Sequence, residues 1–310
     1  MCQIDTVLKR LIEIEEDSAH LRVYRGFLVV EGQTDAGRKE LGRIPLDDVG
    51  ALIANSYGLT YSNAVLVALA ERGVPLVICG TNQLPAGFVL PVSGHHEHAA
   101  NIELQIAASL PLRKRVWQQI VKAKVMQQAK LIDFIGPDGT GLVRLASLVR
   151  SGDPENIEAQ AAKRYWPQLL GDGFRRDMSG PAPNGLLNYG YTVLRSAVAR
   201  CIVASGLHPS LGIHHSNDRN AFRLADDLIE PFRPFVDLAV KKLVDQACVD
   251  VNRDTKNLLA KVLYRDMVTI AGTETLWGAI QTLVQSYVRC LKGEADRIEY
   301  FVQSFDLLSE

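Results

Sequence analysis

Short runs of hydrophobic residues, separated by polar turns, dominate the chain up to about residue 91. Five of these runs have the length of a strand: residues 11–15, 21–25, 27–31, 74–80 and 88–90. Gly and Asp clusters separate the runs, as they commonly separate strands. One helix is predicted over residues 63–72, with Val65, Leu66 and Leu69 on its buried face. The region is therefore expected to consist of antiparallel strands with little helix.

The hydrophobic period changes to that of a helix after residues 91–98. Pro111 is suited to the start of a helix, and no Gly or Pro follows it until Gly136, so one long helix is predicted between them. Further helices are predicted over residues 142–150, 153–166, 185–205, 220–244, 252–263 and 274–291. The predicted fold class is α+β, with a β-rich domain over residues 1–94 and a larger all-α domain over residues 95–310.

Composition and charge restrict the possible functions only in part. The chain has 310 residues, of which 47% are hydrophobic and 22% are charged, as in an ordinary globular protein. No apolar run reaches the ~18 residues needed to cross a bilayer, so a cytoplasmic protein without a membrane anchor is expected. The five cysteines lie far apart, which favours reduced thiols over disulfides or a zinc site. With 34 basic and 35 acidic residues, any nucleic-acid surface has to be a local patch.

One carboxylate is predicted to point inward from a helix. Asp153 is suited to cap the helix that follows it, which places Glu158 beyond the first turn. Glu158 shares a helix face with two alanines and Tyr165, and such residues usually face the core. A buried carboxylate needs a partner, and the simplest one is a salt bridge to Lys163, Arg195 or another nearby base. The alternative is a role in chemistry.

A second group combines a histidine with acidic side chains. Asp227 and Glu230 are three positions apart, so on a helix both carboxylates can approach one cation. His215 would add an imidazole, and this ligand set suits Mg²⁺ or Mn²⁺ better than structural Zn²⁺. Such a cation supports chemistry at phosphate. Pro231 disturbs the geometry because it forces a kink or a break at Glu230, and a structural role for these residues stays open.

The histidine-rich segment 95–98 has the highest density of potential metal ligands in the chain. It follows Gly94 and precedes a helical run, so it is interpreted as a polar linker and a first helical turn. We expect this segment not to be catalytic.

Basic residues supply candidates for contacts with phosphate. The candidate DNA-binding residues are Arg175, Arg176, Lys163 and Arg164. The two arginines lie in the glycine-rich segment GDGFRRD, close in sequence to the Glu158 helix. The basic residues of the long helix, among them Lys124, are interpreted mainly as a solvated face.

Several long segments resemble one known family. They are IPLDDVGALI, ALAERGVPLVICGTNQLPAGFVLP, SGDPENIEAQAAKRYWPQLLG, NGLLNYGYTVLRSAVARCIVASGLHPSLGIHH and FRLADDLIEPFRPFVD. Together they are similar to the CRISPR-associated spacer-acquisition integrase, the Cas endonuclease universal to adaptation modules. GIHH followed by ADDLIEPFRP, with ICGTNQLPAGFVLP before them, resembles the form found in type II systems. The match is specific because several long segments recur in the same order.

The resemblance implies an assembly and a reaction. It implies a β-rich dimerisation domain over residues 1–94, an α-helical catalytic domain over residues 95–310, and a homodimer that joins a small second Cas adaptation subunit. The implied substrate is double-stranded DNA, both the short incoming DNA and the CRISPR repeat. The implied reaction is transesterification, in which a 3′-hydroxyl of the incoming DNA attacks a phosphodiester of the repeat. Water as the nucleophile would give nuclease activity.

The resemblance also implies the ligands of a metal site. Glu158 in NIEAQAA, His215 as the second histidine of GIHH, and Glu230 in DLIEPFRP match the catalytic metal-binding positions. Asp227 occupies the neighbouring acidic position, and the implied cofactor is Mg²⁺ or Mn²⁺. His214 is the alternative to His215, because two adjacent histidines cannot both point into one site from regular backbone.

Two other functions remain possible from the residues themselves. One is a metal-dependent nuclease or phosphodiesterase without integrase activity. The other is a non-catalytic DNA-binding scaffold whose acidic residues are structural.

Overall fold

A computed structural model describes residues 10–34, 37–80, 85–89, 91, 97–269, 272–300 and 305. The chain divides into two compact units, Met1–His98 and Ala99–Glu310. Within the described residues, no helix has both the length and the apolar character required to cross a membrane. His95 and His96, from the histidine-rich segment, lie outside the described residues.

The N-terminal unit contains eight described strands and one helix. The strands are β1 (Arg10–Ile14), β2 (His20–Tyr24), β3 (Phe27–Thr34), β4 (Gly37–Pro45), β5 (Val49–Ala54), β6 (Thr60–Tyr61), β7 (Leu76–Cys79) and β8 (Pro85–Val89), and the helix is α1 (Asn63–Glu71). They form two four-stranded sheets, with strand orders β1-β5-β7-β8 and β4-β3-β2-β6. Leu21, Leu28, Leu52, Val65 and Leu69 belong to the core of this unit.

The expectation of antiparallel strands is wrong for half of this architecture. β5 pairs in parallel with both β1 and β7, and β2 pairs in parallel with β6. Parallel neighbours need a crossover, and α1 provides it between β5 and β7. All six residues of β5 are buried, as expected for a strand covered on both faces.

The C-terminal unit is mainly helical. Its helices are α2 (His98–Ala107), α3 (Leu110–Ile135), α4 (Thr140–Leu148), α5 (Ile157–Leu170), α6 (Asn184–Ala204), α7 (Arg223–Leu228), α8 (Arg233–Asp245), α9 (Arg253–Ala260) and α10 (Leu276–Lys292). Short 3₁₀ turns cover Glu230–Phe232 and Lys261–Tyr264. The prediction of a β-rich region followed by a mostly helical region is confirmed. The helical unit is not purely α, because β9 (Asp266–Thr269) and β10 (Gly272–Thr275) form an antiparallel hairpin.

Two long helices organise the helical unit. α6 is buried over most of its length, and α8, α9 and α10 pack against it. α3 contacts α4, α5, α8 and the 3₁₀ turn. Ser109 caps the start of α3, and Gly136, with a φ of 113°, ends it in a left-handed conformation that suits glycine. The long helix predicted between Pro111 and Gly136 is confirmed.

The helix predicted over residues 220–244 is broken. α7 ends at Leu228, Glu230 begins the 3₁₀ turn, and α8 starts at Arg233. Pro231 causes the break, as expected, because proline disfavours helical backbone at the preceding residue and lacks an amide donor.

Candidate functional site

Glu158 lies at the start of α5, not beyond its first turn as predicted. Asn156 is the N-cap residue, and α5 begins at Ile157. The carboxylate of Asp153 still caps this helix end, because its two oxygens accept hydrogen bonds from the amides of Ile157 at 2.9 Å and Glu158 at 3.0 Å. Asp153 reaches them from a left-handed conformation, with a φ of 48°. Glu158 is thus positioned by a fixed helix terminus.

The partner of Glu158 is Lys124 on α3. Lys124 Nζ donates to Glu158 Oε1 at 2.6 Å, and the same Nζ lies 2.5 Å from Glu230 Oε2. The expectation of a salt bridge is therefore correct in kind, but Lys163 and Arg195 are the wrong bases. Arg195 pairs instead with Asp226, at 2.8 Å.

Glu230 is buried between two cations. Its Oε1 lies 3.0 Å from Nη2 of Arg233, and only 4% of its side chain is exposed. Burial raises the pKa of Glu230, but the charges of Arg233 and Lys124 outweigh burial and hold this pKa below its usual value. Burial likewise lowers the pKa of Lys124, and the charges of Glu230 and Glu158 outweigh that effect and raise it. Both groups are therefore ionised at neutral pH.

His215 is held in place by Asp227. The ring Nδ1 lies 2.6 Å from Asp227 Oδ1, so Nδ1 carries the proton and Nε2 is the nitrogen available to a ligand. The hydrogen bond to Asp227 raises the pKa of His215, burial opposes it, and the charges of Asp227 and Glu230 add to the increase. His215 and Glu230 are therefore close enough to influence each other electrostatically.

Asp227 forms hydrogen bonds to the loop that contains both histidines. Its side chain is fully buried, and both oxygens accept backbone hydrogen bonds, Oδ2 from the amides of Ile213 and His214 and Oδ1 from that of His215. With the His215 ring, the carboxylate accepts four hydrogen bonds. Asp227 therefore orients His215 and the loop before α7, and its place beside the proposed metal ligands stays a prediction.

The two adjacent histidines have different surroundings. The His214 ring stacks on Trp117, with ring centroids 4.2 Å apart and an interplanar angle of 1°. The His215 ring meets Trp117 edge-on. Gly212 allows the close approach of the loop before His214 to Asp227, because a Cβ there would lie 3.0 Å from Asp227 Oδ2 and 2.8 Å from the His215 carbonyl oxygen.

The donor set of this site fits a divalent cation, although a lysine lies within it. In the portion of the chain that the structure describes, no three His, Cys, Asp or Glu side chains converge closely enough to hold an ion. The ammonium of Lys124 lies between Glu158 and Glu230, 2.6 Å from Glu158 Oε1 and 2.5 Å from Glu230 Oε2. Carboxylate oxygens with one imidazole are ligands that Mg²⁺ and Mn²⁺ accept.

A buried acidic cluster next to this site was not predicted. Asp237 on α8 accepts hydrogen bonds from the hydroxyls of Tyr165, at 2.7 Å, and Tyr191. The Arg233 guanidinium lies 4.6 Å from the centre of the Tyr191 ring, so the cluster is linked to Glu230. The signal in the sequence was Asp237 among the apolar positions of α8, together with Tyr165 on the inward face of α5.

The pKa of Asp237 leads to a prediction about stability. Burial raises this pKa from 3.8 to about 6, although the two tyrosine hydrogen bonds and the charge of Arg233 oppose the increase. Between these values the folded protein binds a proton that the unfolded chain has released, so the free energy of unfolding falls as the pH rises. Relative to Asp237→Asn, the natural protein is expected to lose about 2 kcal/mol between pH 4 and pH 7. Denaturant unfolding of both proteins across this range measures the difference, and parallel curves would contradict it.

The candidate DNA-binding residues lie in different environments. Lys163 and Arg164 are exposed on α5, the helix that carries Glu158, and Arg175 is exposed as well. Arg176 is half-buried, and its guanidinium donates to Asn184 at 3.1 Å and to Asn188 at 2.7 Å. It connects the segment before α6 to that helix.

Lys124 is the residue that the sequence interpretation missed. It was grouped with the solvated basic residues of α3, but its side chain is only 12% exposed. The helical period contained the signal. The positions seven and three before Lys124 are Trp117 and Val121, and the position four after it is Gln128. All three side chains are buried, so Lys124 lies on a buried face of the helix. A lysine on such a face needs a charged partner.

The chain belongs to the Cas1 family of CRISPR-associated proteins. The sequence model described as "CRISPR associated protein Cas1" matches residues 12–268. The CRISPR-associated endonuclease Cas1 of Neisseria meningitidis serogroup C (strain 8013) is 39% identical over 248 residues, which cover 79% of this chain and 81% of that protein. A CRISPR-associated endonuclease Cas1 of Thermus thermophilus is 30% identical over 246 residues, 74% of each chain. The family resemblance found in the sequence is confirmed.

Solved structures share the fold. A casposase bound to an integration product has a TM-score of 0.80 at 19% identity, over 96% of this chain and 95% of that chain. A Cas1 protein from Thermotoga maritima has a TM-score of 0.73 at 18% identity, over 92% of this chain and 98% of that chain. A chain of a Cas6-RT-Cas1–Cas2 complex has a TM-score of 0.74 at 17% identity, over 95% of this chain and 36% of that chain. The sheet-rich unit followed by a helical unit is thus the common architecture.

Proposed function

We propose that this chain is a divalent-metal-dependent DNA endonuclease and integrase that inserts short DNA into a CRISPR repeat array. Membership in the Cas1 family, whose curated relatives are named endonucleases, supports the nuclease part. The likeness to a casposase bound to an integration product supports the strand-transfer part. We assign the chain to the type II-like form on its GIHH and ADDLIEPFRP segments.

The observation that carries this proposal is the Lys124 ammonium, which two carboxylates from separate elements bind. Glu158 on α5 and Glu230 in the 3₁₀ turn both lie within 2.6 Å of Lys124 Nζ. Both carboxylates contact this ammonium, and His215, whose Nδ1 is already bound to Asp227, interacts electrostatically with Glu230. This charge and donor set would hold Mg²⁺ or Mn²⁺ through Glu158, Glu230 and His215.

The surrounding residues give these side chains defined roles in phosphodiester chemistry. When bound, the cation would neutralise phosphoryl oxygens and lower the pKa of an attacking hydroxyl or water. Asp227 fixes the ring orientation of His215, and Arg233 fixes Glu230 through its second carboxylate oxygen. Lys163 and Arg164 are exposed on the same helix as Glu158, so they are suited to bind the DNA backbone next to the reacting phosphate.

The proposed assembly is a homodimer with a small second adaptation subunit, acting on double-stranded DNA. The N-terminal unit exposes large apolar side chains that suit a protein contact, including Tyr57 at 79% and Leu41 at 51% exposure. One structural neighbour is a chain of a Cas6-RT-Cas1–Cas2 complex, which supports the second subunit.

A strand-transfer assay tests the proposed function. The chain and its small partner subunit are mixed with a labelled duplex and a repeat-bearing plasmid, in Mn²⁺, Mg²⁺ or EDTA. We expect the label to become covalently attached to the plasmid with either metal and not in EDTA. A matched duplex that lacks its 3′-hydroxyls should give no attachment, because that hydroxyl is the nucleophile.

The other outcomes favour the alternative functions. Plasmid cleavage in Mn²⁺ without transfer of the label would favour a nuclease or phosphodiesterase. DNA binding with neither cleavage nor transfer in any metal would favour a non-catalytic scaffold. Equal transfer in EDTA would contradict the metal dependence.

A further inference from the structure

Lys124 lies where a buried lysine requires a reason. It occupies the inward face of α3, between the buried side chains of Val121 and Gln128. A charged ammonium in such surroundings is unfavourable unless opposite charges and hydrogen bonds compensate for the lost water. Glu158 and Glu230 provide that compensation.

The charges of this cluster balance without any metal. Lys124 and Arg233 carry one positive charge each, and Glu158 and Glu230 carry one negative charge each. Arg233 binds one oxygen of Glu230, and Lys124 Nζ lies 2.5 Å from the other. The carboxylates that would hold a divalent cation therefore already have a cation between them.

The ammonium and a metal ion would compete for the same oxygens. Nζ lies within 2.6 Å of Glu158 Oε1 and Glu230 Oε2. A second cation that bound these two oxygens would have to occupy nearly the same position as Nζ. Repulsion between like charges is strong where water is largely excluded, and 88% of the Lys124 side chain is removed from solvent. A divalent cation bound to Glu158 Oε1 and Glu230 Oε2 and the ammonium in its present position are therefore mutually exclusive.

We propose that Lys124 is an internal counter-ion that the divalent cation has to displace in order to occupy the site. This inference rests on the proposed metal-dependent function. Because α3 tethers the lysine, its local concentration is constant, and the free metal concentration alone decides the competition. Without metal, Lys124 keeps the two carboxylates together and prevents their mutual repulsion.

Direct measurement of Mn²⁺ binding to the intact protein tests this role. Lys124→Met removes the competing charge and keeps most of the side-chain volume. We expect its dissociation constant for Mn²⁺ to fall at least about tenfold, measured by the electron paramagnetic resonance of free Mn²⁺ after removal of bound metal with a chelator. In EDTA the melting temperature of Lys124→Met should be lower than that of the natural protein. The increase in melting temperature on addition of Mn²⁺ should be larger for Lys124→Met than for the natural protein.

Matched variants separate the competition from a general loss of charge. Lys122→Met removes an exposed lysine from the same helix, and its affinity for Mn²⁺ should equal that of the natural protein. Lys124→Arg keeps the charge and should not bind Mn²⁺ more tightly. Should Lys124→Met fail to fold without metal, Lys124→Gln gives the same comparison, because its amide can donate to a carboxylate without adding charge.

The outcomes distinguish this inference from the proposed function. If the natural protein binds Mn²⁺ and Glu158→Gln does not, the metal site stands. Unchanged or weaker binding by Lys124→Met would then overturn the counter-ion role alone. If neither the natural protein nor Lys124→Met binds Mn²⁺, the metal site and the counter-ion role are both overturned.

Discussion

Glu158→Gln is expected to reduce strand transfer at least about 100-fold, because the amide cannot supply the negative charge of a metal ligand. The fold should survive. Glu158 keeps a quarter of its side chain exposed, and in its absence Lys124 still pairs with Glu230. The same argument makes Glu158→Gln a cleaner test than substitution of Glu230, which would leave Lys124 and Arg233 facing a buried neutral group.

The measurement combines three assays of one preparation. Transfer of a labelled duplex in Mn²⁺ gives activity, a gel shift gives DNA binding, and a thermal melt gives stability. Glu103→Gln, an exposed acidic residue on α2, serves as the matched control and should leave all three unchanged. Full strand transfer by Glu158→Gln would refute the proposed site. If the variant showed no cooperative thermal unfolding, its loss of activity would reflect loss of the fold.

The second large effect is expected at one of the two adjacent histidines. His215→Gln should lose at least about 100-fold in strand transfer, because His215 is the ring that Asp227 orients and that interacts electrostatically with Glu230. His214→Gln should retain most activity, because its ring stacks on Trp117 and is not the ring that Asp227 orients. The stacked pair contributes about 0.5–1.5 kcal/mol, so His214→Gln should melt at a slightly lower temperature.

Comparison of the two variants in the same transfer assay provides the control. If both variants kept the full activity of the natural protein, neither ring would be a ligand. Loss confined to His214→Gln would move the ligand one residue upstream, and the Asp227–His215 hydrogen bond would then be purely structural.

Local signals explain which elements the sequence predicted well. The ends of α3 follow from the proline near its start and Gly136 at its end, and the break at Pro231 follows from proline geometry. These features depend on a few neighbouring residues. The start of α5 was misplaced because Asp153 caps that helix from a left-handed backbone conformation, three residues before the N-cap Asn156.

Tertiary packing decided the elements that the pattern did not reveal. β4 lies at the edge of its sheet with most of its residues exposed, so its sequence is polar and lacks the alternation expected of a strand. β5 is buried on both faces and its pairing partners come from either side of the chain, β1 before it and β7 after it. Strand direction therefore depends on the crossover through α1, which hydrophobic periodicity does not encode.

The candidate site shows the same limit. The family resemblance brought Glu158, His215 and Glu230 together, and the inward face of α5 correctly indicated a paired carboxylate. To predict Lys124 as the partner of Glu158, one has to know that α3 packs against α5. The spacing of Asp227 from Glu230 suits a regular helix, whereas the backbone changes to a 3₁₀ turn between them, which local periodicity does not encode.

The order of the site residues along the chain has a consequence during synthesis. Lys124 and Glu158 belong to segments that leave the ribosome early, whereas Glu230 and Arg233 follow only after the whole of α6. The three-way contact between Glu158, Lys124 and Glu230 depends on the packing of the 3₁₀ turn against α3, a contact between distant parts of the sequence that forms slowly. A chain that ends before Glu230 therefore cannot bring together the carboxylates of Glu158 and Glu230. A growing polypeptide would carry no DNA-cutting centre until its helical unit has folded.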